Sequence, residues 1–299
     1  MVEPGRLLTA MVTPFSEDGE VDYPQARKLA DALLRSGSDG LVIGGTTGEA
    51  PSMSDDERLR LFAEAKEAIG SRGAVVAGTT DNNTRRSIEL SKEAERLGVD
   101  ALLLTVPAYN KPPQEGLYRH FKAIAESVTI PGILYNVPGR TALNMEAATT
   151  LRLAAIDNIV GVKEASSMPD QITRVIDGAP DSFRVWSGND NETFPIMCTG
   201  GYGIVSVASN IIGVQIKNMM GLVLEGDIEA AAREHRRMLP LFNALFWVTN
   251  PIPIKYAMNR AGFNVGQPRL PMTEAPEDFR ARFDPVMDRY QVDLPVNGR

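Results

Sequence analysis

The sequence predicts an α/β fold, a closed (β/α)8 TIM barrel with a C-terminal helical appendage, and three observations carry that prediction. Eight short apolar runs rich in β-branched residues alternate with longer helical patterns: Leu7–Thr13, Gly40–Gly44, Ala74–Gly78, Ala101–Val106, Gly132–Asn136, Ile159–Lys163, Phe183–Ser187 and Gly203–Val207. These runs are apolar nearly throughout instead of alternating, as fits strands buried on both faces of a parallel sheet. The strand–helix units recur at roughly 20–35 residues, and eight of them suit a closed barrel better than an open doubly wound sheet. Such a sheet would usually carry a nucleotide or flavin loop, and neither G-x-G-x-x-G nor a Walker A pattern is present.

The segments between the runs carry helix punctuation. Ala26, Leu29, Ala30 and Leu33 repeat at i, i+3, i+4, i+7, giving one apolar face, and Gly37 follows as a stop. Ser54 and Glu57 have the spacing of a capping box ahead of a helix that ends near Gly70. Leu90, Ala94 and Leu97 stripe the next helix, which Gly98 terminates. From about Asp227 the alternation stops. Three helical stretches follow, Ile228–Trp247, Ile252–Ala261 and Ala275–Gln291, punctuated by Pro251, Pro253, Pro268 and Pro271. No polar linker precedes them, so the expected division is a catalytic barrel over residues 1–226 with helices packed on it over 227–299.

Composition narrows the function classes. A chain of 299 residues, 43% hydrophobic and 23% charged, can bury a large core without disulfide or metal. The net charge is −7, and basic pairs such as Arg85 with Arg86 and Arg236 with Arg237 read as solvated helix faces. That argues against nucleic acid or an anionic membrane as a partner. The lone cysteine, Cys198, lies in the apolar segment Phe194–Gly201 and reads as a small buried hydrophobe. His120 and His235 are the only histidines, each within an amphipathic helical pattern, so histidine triads and His/Cys metal sites find no support. Neither metal nor cofactor is expected. No apolar run approaches membrane-spanning length and no signal pattern opens the chain, so a cytoplasmic protein is expected.

Chemistry on such a barrel gathers at the C-terminal ends of the strands. The second run ends in Gly44-Gly-Thr-Thr-Gly-Glu49. Its glycines admit a ligand close to the backbone, and the Thr46 and Thr47 hydroxyls suit a carboxylate or a proton relay; a tight turn with capping threonines is the plainer alternative. The fourth run leads into a proline-rich loop bearing Tyr109, which also suits a packing anchor. The fifth ends in Tyr135-Asn-Val-Pro-Gly-Arg-Thr141, where Arg140 offers a guanidinium fork to a carboxylate or to a surface ion pair. The sixth closes on Lys163, a cation costly to bury. Either an acid such as Glu164 pairs with it, or its pKa falls and the neutral amine becomes a nucleophile. With a tyrosine on a neighbouring strand end, threonine hydroxyls further round and no metal ligands, the set is what an imine-forming aldolase needs. The amine attacks a ketone, hydroxyls move protons, and the protonated imine stores electrons for a carbon–carbon bond.

Five segments in this order resemble the signatures of the dihydrodipicolinate synthase family: Gly45-Thr-Thr-Gly-Glu49, Tyr135-Asn-Val-Pro-Gly-Arg-Thr141, Gly161-Val-Lys-Glu164, Ser187-Gly-Asn-Asp190 and Asn250-Pro-Ile-Pro-Ile-Lys255. The resemblance runs from about Leu8 to about Ala261. It implies that Lys163 forms a Schiff base with pyruvate and that Tyr135 shuttles protons in a relay with Thr47 and Tyr109. Thr46 and Thr47 match the pyruvate-binding loop, and Gly188 and Val205 match backbone positions lining the imine pocket. Arg140 matches the residue that binds the carboxylate of the second substrate, L-aspartate 4-semialdehyde, in the diaminopimelate branch of lysine biosynthesis. The family's counterpart of Tyr109 comes from a neighbouring subunit, which implies a homodimer and usually a homotetramer of two tight dimers. N-acetylneuraminate lyases and keto-sugar-acid aldolases share the barrel, lysine and tyrosine, but the Pro138–Thr141 run favours the synthase. A keto-acid-binding protein without turnover has no feature in its favour. Glu49 is left open between orienting the threonine loop and capping the following helix.

The chain departs from the family pattern in one region. Ala108 stands where many members have a second aromatic, and Ala50, Asp55 and Arg58 replace the serine and histidines of lysine-inhibited members. Arg86 stands where an acid would favour a cationic effector, while Asn82 is retained. Lysine feedback is therefore expected to be weak or absent, and half-inhibition by sub-millimolar lysine would contradict this. The missing aromatic is also expected to loosen the tight-dimer contact, which sedimentation at low concentration tests.

Overall fold

A computed structural model describes residues 2–295. The eight apolar runs become eight strands: β1 (Leu7–Ala10), β2 (Gly40–Ile43), β3 (Ala74–Gly78), β4 (Ala101–Thr105), β5 (Gly132–Asn136), β6 (Ile159–Glu164), β7 (Arg184–Ser187) and β8 (Gly203–Ser206). They pair in parallel and in chain order, and β8 returns to β1 with Leu8 opposite Val205, closing the barrel. The fold class is the one the sequence predicts.

Side-chain alternation along each strand sorts the apolar residues into two layers. Leu8, Val42, Val76, Leu103, Ile133, Tyr135, Trp186 and Val205 fill the barrel interior. Leu7, Leu41, Val75, Leu102, Leu134, Val162 and Ile204 face outward into the layer beneath the helices. Trp186 is completely buried, and its indole N–H donates to the Gly5 carbonyl at 2.9 Å. Gly161 leaves that ring its space: a Cβ there would fall 2.6 Å from the indole and 2.2 Å from the Arg184 carbonyl oxygen.

The helix signals act locally as their chemistry requires. Helix Tyr23–Arg35 buries Ala26, Leu29, Ala30 and Leu33, and Asp22 caps it by accepting from the Gln25 N–H. Ser54 and Glu57 form the reciprocal capping box of helix Asp55–Ile69, which ends at Gly70 with φ 58°. Two expectations need correction. Leu97 caps the end of helix Thr84–Arg96, beyond the turn that buries Leu90 and Ala94, and is 38% exposed. Cys198 is exposed, because it ends helix Thr193–Cys198 where Ile196 and Met197 take the inward positions.

After β8 and helix Ser209–Leu224 come helices Ile228–Ala244, Ile252–Arg260 and Glu277–Met287. Their buried residues, among them Leu241, Phe242, Ile254, Met258, Phe279 and Phe283, join the outer apolar layer of the barrel. Positions 296–299 of the expected appendage lie outside the described residues. Among the described residues no helix is long and apolar enough to cross a membrane.

Candidate active site

Tyr135 and Lys163 sit opposite each other at the C-terminal ends of β5 and β6, as partners in the parallel register. Both therefore point into the barrel, and the Lys163 Nζ lies 4.0 Å from the centre of the Tyr135 ring. The lysine is buried, and burial pushes its ammonium down to about 7. The buried carboxylate of Asp190 pulls the other way, while the Arg140 cation adds to the fall. A substantial fraction of Lys163 is thus the neutral, nucleophilic amine near pH 7. Burial pushes the Tyr135 hydroxyl up to about 12, against smaller opposing effects of Arg140 and a hydrogen bond with Thr46, so the phenol keeps its proton.

Glu164 is not the partner of Lys163. The alternation that turns Lys163 inward turns Glu164 outward, where its carboxylate accepts from Asn136 Nδ2 at 3.0 Å and from the Ser166 N–H at 3.0 Å. Lys163 forms no ion pair with Glu164, and burial moves its pKa down, the second of the two alternatives that the sequence leaves open.

The threonine loop divides its work. Thr46 reaches the Tyr135 hydroxyl, whereas Thr47 is buried with its hydroxyl accepting from Asn250 Nδ2 at 3.0 Å. The hydroxyl of Thr47 thus bonds Asn250, while Thr46 is the threonine that acts on the Tyr135 hydroxyl. The Glu49 side chain makes no capping bond at the short 3-10 turn Ala50–Ser52, whose N-cap position it holds, and Ser54 and Glu57 cap helix Asp55–Ile69. The Glu49 carboxylate instead accepts from Lys255 Nζ at 2.8 Å and from the Arg269 N–H at 2.9 Å.

A cavity of about 530 Å³ opens over the ends of β2 to β5, with Gly45, Thr46, Thr80, Thr105 and Arg140 in its wall. Lys163 and Tyr135 lie beside this cavity rather than in its lining, and Thr46, which lines the cavity and bonds Tyr135, joins the two. Arg140 is on the short helix Pro138–Thr141, exposed, with one guanidinium N–H donating to the Asn250 carbonyl at 3.4 Å. Most of its donors remain free for an anion entering the cavity.

Gly188 follows β7 beside the amine. A Cβ at that position would lie 2.7 Å from the Ala165 Cβ and 3.2 Å from the Lys163 Cε. Val205 is buried on β8 in the same interior cluster as Tyr135. Tyr109 stands apart from this group, 92% exposed with a left-handed φ of 70°, so its ring faces solvent and not the buried Tyr135.

The effector-like region is internally paired. Arg86 makes two hydrogen bonds to Asp55 and an ion pair with Asp81, and buried Arg58 donates to the Gly78 carbonyl at 2.5 Å. Asn82 Oδ1 accepts from the Ala108 N–H at 3.0 Å.

Three contributors had no assigned role in the sequence. Asp190 is buried and held by Ser206 Oγ and by the Val207 and Ala208 N–H groups. Asn250 and Lys255 reach the threonine loop from the C-terminal helices. A lysine within the apolar Ile252–Met258 stretch was the available signal, since a buried ammonium needs a partner.

Comparison with known proteins agrees with this geometry. The model of the dihydrodipicolinate synthetase family matches residues 3–289. A curated 4-hydroxy-tetrahydrodipicolinate synthase from Dehalococcoides mccartyi is 55% identical over 99% of this chain and 100% of its own. One of the same name from Symbiobacterium thermophilum is 54% identical over 92% and 94%. Dihydrodipicolinate synthase from Bacillus anthracis superposes with TM-score 0.94 at 41% identity, covering 96% of this chain and 99% of that one. The enzyme from Cyanidioschyzon merolae, solved with lysine bound, gives TM-score 0.95 at 42% identity, covering 97% and 99%. A family match across nearly the whole chain, with a lysine and a tyrosine paired at the strand ends, places this protein in the dihydrodipicolinate synthetase family.

Proposed function

We propose that the chain is a lyase with the activity its relatives are named for, 4-hydroxy-tetrahydrodipicolinate synthesis, and that it condenses pyruvate with L-aspartate 4-semialdehyde. The observation that carries the chemistry is the buried Lys163 amine, lowered to about 7 beside the protonated Tyr135. The neutral amine attacks the pyruvate carbonyl, and loss of water gives the imine. Tyr135, through Thr46, carries the protons that leave and return. Loss of a methyl proton from the protonated imine gives an enamine, which attacks the aldehyde carbon. The amino group of the semialdehyde portion then adds to the imine carbon and displaces the Lys163 amine, which closes the ring of the product and frees Lys163.

In this reading Thr46 and Thr47 hold the pyruvate carboxylate, Gly188 and Val205 shape the imine pocket, and Arg140 takes the carboxylate of the semialdehyde. Tyr109 serves a second copy of the chain, completing that copy's relay within a homodimer or a homotetramer. Its exposure supports that role. The reaction belongs in the cytoplasm, in lysine biosynthesis. Lysine inhibits weakly or not at all, since Arg58 and Arg86 present cations where an ammonium would have to bind.

The test supplies the purified protein with pyruvate and L-aspartate 4-semialdehyde, against N-acetylmannosamine and glyceraldehyde as competing aldehydes. Preference for the semialdehyde is expected. Preference for a sugar aldehyde would keep the Lys163 chemistry and overturn the role of Arg140.

A further inference from the structure

We infer that Lys255 is a positioning residue for the threonine loop, acting through Glu49, and that the segment Asn250–Lys255 thereby completes the site from the C-terminal helices. This rests on the Lys163 chemistry proposed above.

The loop needs an external hold. Glu49 adopts a left-handed conformation, φ 57°, which a residue with a side chain keeps only when its surroundings enforce it. Its carboxylate is buried, and its side-chain hydrogen bonds come from the C-terminal region: Lys255 Nζ at 2.8 Å on one oxygen and the Arg269 N–H at 2.9 Å on the other. Lys255 is equally buried. Its ammonium also donates to the Gln267 carbonyl at 3.1 Å and lies 4.2 Å from the centre of the Phe15 ring. Burial pushes this ammonium down to about 8 while Glu49 opposes the fall, so Lys255 is mostly charged at neutral pH.

Two residues before Glu49, Thr47 accepts from Asn250 Nδ2, and the Asn250 carbonyl accepts from Arg140. One short segment therefore touches Thr47, Glu49 and Arg140. A buried ion pair often adds no stability over an apolar pair of similar size, so what this pair supplies here is a location. With Glu49 fixed, Thr46 keeps its hydroxyl at Tyr135 and Thr47 keeps its bond to Asn250. Lys255 touches neither substrate nor reacting atoms, and its effect passes through the loop.

The experiment compares wild type, Lys255→Met and the double variant Glu49→Gln/Lys255→Met. Melting temperature, stoichiometry of borohydride trapping with pyruvate, and steady-state kinetics are read for each. The double variant removes both charges and leaves a side-chain amide oxygen to accept from the Arg269 N–H, so it separates stability from position. Expected for it are a near-native melting temperature and full trapping at saturating pyruvate. Its kcat per trappable site should fall at least tenfold and its KM for pyruvate should rise, with KM for the semialdehyde within twofold of wild type. A folded double variant with wild-type kcat and wild-type KM for pyruvate would overturn the inference. If that variant does not accumulate, Glu49→Gln alone is read by the same criteria, because it lets Lys255 shed its proton and keeps the Arg269 contact. Absence of trapping in the wild type would instead remove the Lys163 chemistry itself.

Discussion

The Lys163 Nζ lies 4.0 Å from the centre of the Tyr135 ring, across adjacent strands on which the two residues are register partners. Strand pairing sets this relationship without any flexible loop, so the proposed nucleophile and its proposed proton carrier are aligned before substrate arrives. Burial acts on both in the same sense, disfavouring the charged form of each. The resting pair is an amine and a phenol, with most of the change in charge reserved for the reaction.

The pH dependence follows from that pair. Imine formation needs the neutral amine, so kcat/KM for pyruvate rises with pH through about 7 and then levels off. Stability has a related sign. The folded pKa of Lys163 lies below its unfolded value, so between about 7 and 10.5 the unfolded chain binds more protons and this residue's contribution to stability rises with pH. Stopped-flow pyruvate binding and melting temperatures over that window test both, with Lys163→Met removing its part of each slope.

Tyr135→Phe keeps the ring beside Lys163 and removes the hydroxyl that reaches Thr46. Turnover should fall by about 10²- to 10⁴-fold, the usual worth of a positioned proton donor. Borohydride trapping should slow but reach completion, and the melting temperature should hold. Single-turnover kinetics with and without aldehyde distinguish these steps.

Arg140→Ala should raise KM for the semialdehyde by about 10- to 100-fold, the range that corresponds to one charged hydrogen-bonding contact. Pyruvate trapping should be affected far less, although loss of a nearby cation lets the Lys163 pKa rise. Unchanged kinetics for the semialdehyde would exclude the carboxylate-clamp role.

Gly188→Ala tests the space beside the amine. The added methyl meets the Ala165 Cβ and crowds the Lys163 Cε, so the lysine must move. Misalignment of reacting atoms by about 1 Å costs about 10²-fold in rate, so a shift of a few tenths of an ångström should cost about 3- to 10-fold. Activity should therefore fall much further than the melting temperature.

Much of this was legible in the sequence because burial on both faces leaves a plain signature. A strand of a closed parallel barrel is apolar at nearly every position, and the exceptions, Lys163 and Tyr135 among them, stand out at once. What was hidden depended on direction or distance. The order Thr46-Thr47 does not say which hydroxyl meets Tyr135, since a glycine-rich turn has no fixed periodicity. The Glu49–Lys255 contact joins residues 206 positions apart, and neither shows its partner locally. Leu97 continues an apolar helical stripe and Cys198 lies in an apolar stretch, but both stand at helix ends, where the angular position decides exposure and composition does not.

The proposal that Lys163 carries the covalent intermediate is tested most directly by borohydride reduction with pyruvate followed by peptide mapping. One reduced pyruvyl group per chain is expected, on Lys163, and none in a folded Lys163→Ala variant that has also lost turnover. An adduct on Lys255, the other buried lysine with a lowered pKa, or turnover with no adduct at all, would contradict it.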